Sequence, residues 1–147
     1  MTTTPAPNAL FERVQASFLR QGLLLGLGVR LLRVEPGLCE LALPYSDQVT
    51  QQQGGFHGGA IGALADVAGG YAALTTAPEG MEVTTVEYKI NFLASFQGGE
   101  IRAIGRVTKA GKRIIVTTAE LVHIDDSGKR SDCALMQQTL VPVTKTY

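Results

Sequence analysis

The most constraining feature of this chain is the segment 51–75, which reads QQQGGFHGGAIGALADVAGGYAALT. A polar, glycine-rich approach leads to His57, and a run of small, apolar residues follows over 60–74. Asp66 is the only charged residue between Phe56 and Pro78. The segment therefore predicts a loop that leads into the N-terminus of a buried helix, with one carboxylate in the middle of that helix.

Two properties of this predicted helix point to a functional site. Its five glycines (58, 59, 62, 69 and 70) are unusual, because an interior glycine costs about 1 kcal/mol relative to alanine. The usual reason for such glycines is the close approach of a backbone or a ligand. A lone carboxylate among small residues is also costly to bury unless it is hydrogen-bonded or paired.

Two other interpretations of the segment fit less well. A surface helix with Asp66 facing solvent would normally carry several charges, and this one carries none besides Asp66. The spacing Gly58-x-x-x-Gly62 in an apolar stretch is typical of membrane helix dimers. The central Asp66, the shortage of large apolar residues and the lack of flanking basic residues argue against a membrane span.

Length, charge and composition narrow the function classes. With 147 residues, the sequence predicts a single domain over 1–147. The formal net charge of zero argues against nucleic acid as the main partner. Cys39 and Cys133 lack metal-ligand spacing and are predicted to be free thiols, and His57 and His123 have no clustered ligands, so we expect no metal. The N-terminus shows no secretory signal, which predicts a cytoplasmic location.

The remaining pattern predicts one more helix and a sheet. We expect residues 1–7 to be disordered and a helix over 8–20 with Asn8 as its N-cap. Alternation predicts β-structure over 22–43 with a hairpin turn at 35–37, and a loop over 45–55. Four further strands, expected as an antiparallel meander, fall at 82–95, 100–109, 113–124 and 130–143. The prediction is an α+β fold in which a curved antiparallel β-sheet wraps around one long central α-helix.

The central motif resembles that of a known family. The pattern Gln51-x-x-Gly54-x-x-His57-Gly58-Gly59, followed by Leu64-Ala65-Asp66, is similar to the hotdog-fold acyl-CoA thioesterases, in particular the phenylacetate-pathway branch. Weaker likenesses occur at 91–93 (Asn-Phe-Leu) and 110–113 (Ala-Gly-Lys-Arg), so that the resemblance spans about 29–140. The sequence departs from the branch at Ala94-Ser95, where many members have Arg-Pro, and at Gly70, where some have Thr.

The resemblance implies hydrolysis of an acyl-CoA thioester by residues 51–66. A helix N-terminus presents unpaired N–H groups and a partial positive charge, so the Gly58 N–H can polarise the thioester carbonyl. One such donor is typically worth about 3 kcal/mol of the activation barrier. We expect His57 to orient the loop or add a donor, Gln51 to position the water or the carbonyl, and Asp66 to act as base or nucleophile.

Substrate binding is expected from two further groups of residues. The resemblance places Gly59, Asn91 and Phe92 at the substrate. The phosphates of CoA need cations at the surface, and the predicted ligands are Lys109, Lys112 and Arg113, with Arg102 and Arg106 nearby. No cofactor is expected, because CoA is part of the substrate.

The spacing between Gly58 and Asp66 predicts a shared active site. Eight residues correspond to about 12 Å along a helix axis, so Asp66 cannot reach a carbonyl held at the N-terminus of its own helix. An antiparallel pair of central helices in a dimer would bring the two groups together, and Gly62, Ala65, Gly69 and Gly70 would allow that approach. The family resemblance implies the same arrangement, commonly with dimers paired into tetramers.

Two alternatives stay open at the level of sequence. The first is a hotdog acyl-thioester dehydratase, whose proline-rich catalytic context is not found in this chain. The second is a non-catalytic acyl-CoA binding or sensor protein on the same fold, which would not need a carboxylate at Asp66. The acyl group is equally open among aromatic, medium-chain and short branched classes.

Overall fold

The computed structural model describes residues 7–147. Three helices and six strands make up this part of the chain. In order they are α1 (Pro7–Phe18), α2 (Gly22–Gly26), β1 (Arg30–Glu35), β2 (Leu38–Pro44), α3 (Gly58–Leu74), β3 (Met81–Phe92), β4 (Glu100–Ala110), β5 (Ile115–Ile124) and β6 (Arg130–Thr144), with a short 3₁₀ turn at Asp47–Val49.

All six strands form one antiparallel sheet in the order β1-β2-β4-β5-β6-β3. Helix α3 packs against one face of this sheet and contacts β2 to β6. The predicted hotdog architecture is therefore confirmed. The predicted four-strand meander is wrong in one respect, because β3 pairs with β6 at the edge of the sheet and not with β4.

The N-terminal region differs from its sequence prediction at two places. Helix α1 already includes Pro7, so Asn8 lies inside the helix and is not its N-cap. The disorder predicted for 1–7 is wrong at Pro7, and residues 1–6 lie outside the described residues. The segment Gly22–Gly26 is helical and not part of a strand. Its Leu24 is buried while the leucines on either side are exposed, which mimics the alternation of a strand.

Most of helix α3 is buried in its own chain. A Cβ on Gly105 of β4 would lie 2.7 Å from the backbone nitrogen of Gly69, so glycine lets strand and helix backbones touch. A Cβ on Gly62 would lie 3.1 Å from the Tyr88 hydroxyl oxygen, and Ala65 is fully buried. The expectation that Gly62, Ala65 and Gly69 leave room for a partner helix is therefore wrong, because side chains of the same chain fill that space.

The lengths of the observed helices test the interpretation of segment 51–75 as a membrane span. In the part of the chain that the structure describes, no helix is long and apolar enough to cross a membrane.

Candidate active site

The loop before α3 delivers the helix N-terminus through several backbone and side-chain hydrogen bonds. The His57 N–H donates to the Val49 carbonyl at 2.7 Å. The His57 Nδ1 accepts from the Gly59 N–H at 2.7 Å and so caps the helix. His57 therefore holds the loop and the start of α3 in place. The Gly59 N–H is occupied by this cap.

Gly58 begins the helix beneath an aromatic ring. A Cβ on Gly58 would lie 3.3 Å from the Phe92 ring, so the ring covers the first turn of α3. The Gly59, Ala60 and Ile61 N–H groups all donate to His57. No acceptor for the Gly58 N–H is found within residues 7–147, which leaves it as the open donor of the first turn.

Gln51 helps to close the loop over 51–55. Its N–H donates to the Gly55 carbonyl at 2.9 Å, and its side-chain Oε1 accepts from the Gln53 N–H. In this structure the amide of Gln51 therefore stabilises the turn, and its contact with a substrate stays a prediction.

The Asp66 carboxylate lies in a network of hydrogen bonds between α3 and the sheet. The Thr85 hydroxyl donates to Asp66 Oδ1 at 2.7 Å. The Gln138 Nε2 also donates to Oδ1, and it lies 3.1 Å from both the Asp66 carbonyl oxygen and the Thr85 hydroxyl. The carboxylate is thus held by two neutral donors from β3 and β6.

Two members of this network, Thr117 and Gln138, are fully buried. The Thr117 hydroxyl donates to Gln138 Oε1 at 2.8 Å. Neither residue was singled out from the sequence, although the strand pattern could have indicated both. Each occupies an inward position of a strand whose other inward residues are mostly apolar, and a buried polar residue in such a pattern needs a hydrogen-bond partner.

A cavity of about 300 Å³ opens beside Asp66, between α1, α3 and β3. Its walls carry several polar groups, including Gln21, Tyr71, Glu82 and Thr85. The Tyr71 hydroxyl is hydrogen-bonded to Ser17 and Gln21, each at 3.1 Å. The Tyr71 hydroxyl is protonated at neutral pH, and burial raises its pKa further above the usual value of 10.0.

Asn91 and Phe92 point to opposite faces of the sheet. Phe92 lies on the helix side against Gly58. Asn91 lies on the outer face beside Lys89, Glu120 and Gln137. Within one chain the structure therefore brings Phe92, but not Asn91, to the helix N-terminus.

The predicted CoA ligands lie at the other end of the molecule. Lys109, Lys112 and Arg113 are exposed around the β4–β5 turn. The turn is followed by Ile115, which packs with Ala73 near the end of α3. These cations are therefore remote from Gly58 of their own chain, and Arg102 is held in ion pairs, at 2.8 Å to Glu100 and 3.9 Å to Glu40.

The two histidines have structural contacts. His123 is buried, stacks on Phe96 with 4.4 Å between ring centroids, and places its Nε2 2.9 Å from the Gly98 carbonyl oxygen. Within residues 7–147, no group of three or more His, Cys, Asp or Glu side chains is arranged to hold a metal ion. That the protein works without a metal stays a prediction.

A curved antiparallel sheet around one long helix, with an open N–H at the helix start and a carboxylate in its middle, defines a hotdog-fold protein. A family model described as the Thioesterase superfamily matches residues 53–128, which is more than half of the chain. The protein belongs to this superfamily.

Relatives and solved structures agree with this assignment. A proofreading thioesterase, EntH of Klebsiella pneumoniae, is 31% identical over 104 residues, covering 71% of this chain and 74% of the relative. The crystal structure of a thioesterase family protein from Silicibacter pomeroyi has 35% identity and a TM-score of 0.88, covering 92% of this chain and 99% of that one. The PaaI protein of the E. coli phenylacetic acid degradation operon has 22% identity and a TM-score of 0.80, covering 93% and 95%, and shows a similar fold.

Proposed function

We propose that the protein hydrolyses an acyl-CoA thioester to the free acid and CoA. The observation that carries this proposal is the open N–H of Gly58 at the positive end of a buried helix. A thioester oxygen bound to this N–H would become more negative as the carbonyl carbon is attacked. The N–H and the helix dipole would then stabilise the transition state more than the ground state.

Asp66 supplies the second half of the chemistry. As a base, it takes a proton from a water molecule that attacks the carbonyl carbon, and the C–S bond breaks to release the CoA thiolate. As a nucleophile, it forms a mixed anhydride with release of the thiolate, and water then hydrolyses the anhydride. Both routes need an ionised carboxylate close to a bound carbonyl, and both are compatible with its position on the cavity.

A dimer is needed to bring these groups together, and the edge strand β3 is the surface that favours it. One side of β3 pairs with β6, and no other strand within residues 7–147 pairs with its second side. Large apolar side chains are exposed along and just after this strand. They are Val86 (61% exposed), Phe92 (52%), Leu93 (50%) and Tyr88 (42%). An open edge with these side chains favours strand pairing with a second copy.

The contacts between β3 and α3 indicate how such a dimer would complete the site. Phe92 packs over Gly58, Tyr88 over Gly62, and Thr85 bonds to Asp66, so the strand runs antiparallel to the helix. A two-fold axis near the middle of this row would exchange its ends. Asp66 of the partner subunit would then lie near the Gly58 N–H, and each dimer would hold two sites.

The same symmetry bears on CoA binding. The cationic turn with Lys109, Lys112 and Arg113 lies towards the C-terminal end of α3. In an antiparallel dimer, this end of one chain is near the helix N-terminus of the other. We therefore infer that the CoA phosphates bind cations of a neighbouring subunit, and we expect dimers to pair into tetramers.

The test is thiol release from a panel of acyl-CoA esters (phenylacetyl, 4-hydroxybenzoyl, hexanoyl and palmitoyl). Asp66→Asn should abolish turnover of any ester that the wild type hydrolyses, because the amide is neither base nor nucleophile. Gly58→Pro removes the N–H in a position where helices accept proline, and should lower kcat by about 100-fold.

The matched control is Gly58→Ala, which keeps the N–H and adds a Cβ 3.3 Å from Phe92. If the alanine and proline variants lose activity equally, the ring contact and not the N–H is responsible. Wild-type turnover in Asp66→Asn would contradict the role of the carboxylate. Binding of acyl-CoA without turnover by the wild type would instead favour a non-catalytic binding protein.

A further inference from the structure

We propose that Gln138 is a positioning residue for Asp66, and that Thr117 fixes the orientation of the Gln138 amide. The inference deepens the proposed function, because it concerns the carboxylate to which that function assigns the chemistry. Gln138 touches the carboxylate from the sheet side and lies fully buried, behind the surface that a substrate would reach.

The hydrogen bonds give the amide one favourable orientation. A glutamine amide has a donor end and an acceptor end. Thr117 donates its hydroxyl proton to Oε1 at 2.8 Å, while Nε2 faces Asp66 Oδ1 and lies 3.1 Å from the Asp66 carbonyl oxygen. A flipped amide would place its oxygen against the carboxylate and the carbonyl oxygen, which repel it. The two Asp66 oxygens therefore select the orientation in which Nε2 donates to Asp66, and the Thr117 hydroxyl holds the amide there by donating to Oε1.

Gly69 provides a second, independent observation. A Cβ at this interior helix position would collide with Gln138 Oε1 and lie 2.6 Å from the Thr117 hydroxyl oxygen. The glycine therefore creates the space in which the Thr117–Gln138 pair lies one turn after Asp66. The Thr117–Gln138 pair therefore explains why a glycine occupies this helix position despite its cost to helix stability, and a partner helix is not needed as the explanation.

The charges around Asp66 make this pair important for its ionisation. Glu82 and Tyr71 are the other titratable groups on the cavity, and neither is a cation. No Lys, Arg or His of residues 7–147 forms an ion pair with Asp66. Its negative charge is stabilised by the neutral donors Gln138 and Thr85, so removing one of them should favour the protonated form.

The experiment compares the wild type with Gln138→Met, Thr117→Val and Thr117→Ser. Protein labelled with ¹³C at the aspartate carboxyls is titrated by NMR, and the signal that Asp66→Asn removes is that of Asp66. We expect the titration midpoint to rise by about one pH unit in Gln138→Met, since an apolar side chain of similar length replaces the donor. Thr117→Val should shift it in the same direction, whereas Thr117→Ser keeps a hydroxyl and should behave as the wild type.

Kinetics of the same variants provide the second measurement. On an ester that the wild type hydrolyses, Gln138→Met and Thr117→Val should lower kcat by about tenfold or more near neutral pH, with KM within about twofold. The reason is that a carboxylate no longer held by Gln138 loses its orientation towards the bound carbonyl. The acidic limb of the kcat–pH profile should move to higher pH in step with the NMR midpoint. Thr117→Ser should keep both the wild-type kcat and the wild-type acidic limb, although residue 117 contacts neither Asp66 nor the substrate.

The outcomes separate this inference from the proposed function. Unchanged midpoints and unchanged kcat in Gln138→Met and Thr117→Val would overturn the positioning role. If no ester is hydrolysed by the wild type, the proposed function fails, and the NMR titration alone decides the inference. Should Gln138→Met fail to fold, the Val and Ser variants of Thr117 decide it, with thermal melting as the check on folding.

Discussion

At the scale of single residues, the two cysteines show how burial controls reactivity. Cys39 and Cys133 are free and fully buried, in agreement with the prediction of free thiols. Burial, aided by the neighbouring Glu40 carboxylate, raises the pKa of Cys39 to about 12. Burial also raises the pKa of Cys133 to about 11. The reactive thiolate is therefore scarce at neutral pH, and the folded protein should not react with the thiol reagent used to detect CoA.

These shifted pKa values predict a loss of stability at alkaline pH. The ordinary pKa of the thiol is 9.0, so above about pH 9 the unfolded chain loses a thiol proton that the folded chain keeps. The stability that the protonated Cys39 thiol adds to the folded state is fully present below that pH. Above it, the free energy of unfolding should fall by about 1 kcal/mol per pH unit, up to about pH 12. Urea unfolding between pH 8 and pH 11 measures it. A Cys39→Ala variant with the same slope as the wild type would contradict this origin.

The sequence predicted those site residues that lie on one element and missed those that two distant strands bring together. Gly58, His57 and Asp66 belong to one helix and its cap, and their positions on it follow from spacing alone. Thr117 and Gln138 meet only because β5 and β6 pair in register, which puts Thr117 opposite Gln138. That pairing joins distant parts of the chain and cannot be derived from periodicity. The opposite directions of Asn91 and Phe92, in contrast, follow from strand alternation alone.

At the scale of the element, β3 is the strand that most affects assembly. Val86→Lys places a charge on its open edge, and a charged side chain at a sheet edge opposes pairing with a second strand. We expect self-association to weaken about tenfold or more, with loss of turnover, as measured by sedimentation velocity over a range of concentrations.

Ile114→Lys is the matched control for this change. Ile114 is 52% exposed in the β4–β5 turn, away from the open edge of β3. This variant should associate as the wild type does. A Val86→Lys protein that dimerises as strongly as the Ile114→Lys protein would exclude pairing through this edge.

Elements were predicted best where the pattern is long. Helix α3 and the last four strands were found within a few residues of their observed bounds, because alternation and glycine turns extend over ten or more residues there. Helix α2 was missed, because five residues reading GLLLG are too short to show a helical period. The pairing of β3 with β6 was missed, because strands that follow each other in the sequence usually lie side by side in the sheet.

At the scale of the whole molecule, the overall architecture was predictable because one long apolar helix and an antiparallel sheet have few ways to bury each other. The quaternary arrangement needs its own test. Gly58→Pro lacks the N–H proposed to bind the carbonyl and Asp66→Asn lacks the proposed base or nucleophile, so each homodimer should keep at most about a hundredth of the wild-type activity. A mixed dimer has one site in which both groups are intact.

Co-refolding equal amounts of the two inactive variants should therefore restore up to about a quarter of the wild-type activity, because half of the dimers are mixed and each has one working site. Thiol release after co-refolding measures this, and the two variants refolded separately and then combined serve as the control. No recovery, despite mixed dimers seen by native mass spectrometry, would exclude sites shared between subunits.

The contact between Gly105 and helix α3 has a consequence for how this protein can diversify. Because strand and helix backbones touch there, no side-chain change at Gly105 can adjust their separation without moving the carboxylate. The opposite wall of the cavity is supplied by Ser17 and Gln21 of the N-terminal region, each through a hydrogen bond to the Tyr71 hydroxyl. Across a lineage of such proteins, this wall of the cavity is therefore free to change through the N-terminal segment while the position of the Asp66 carboxylate stays the same.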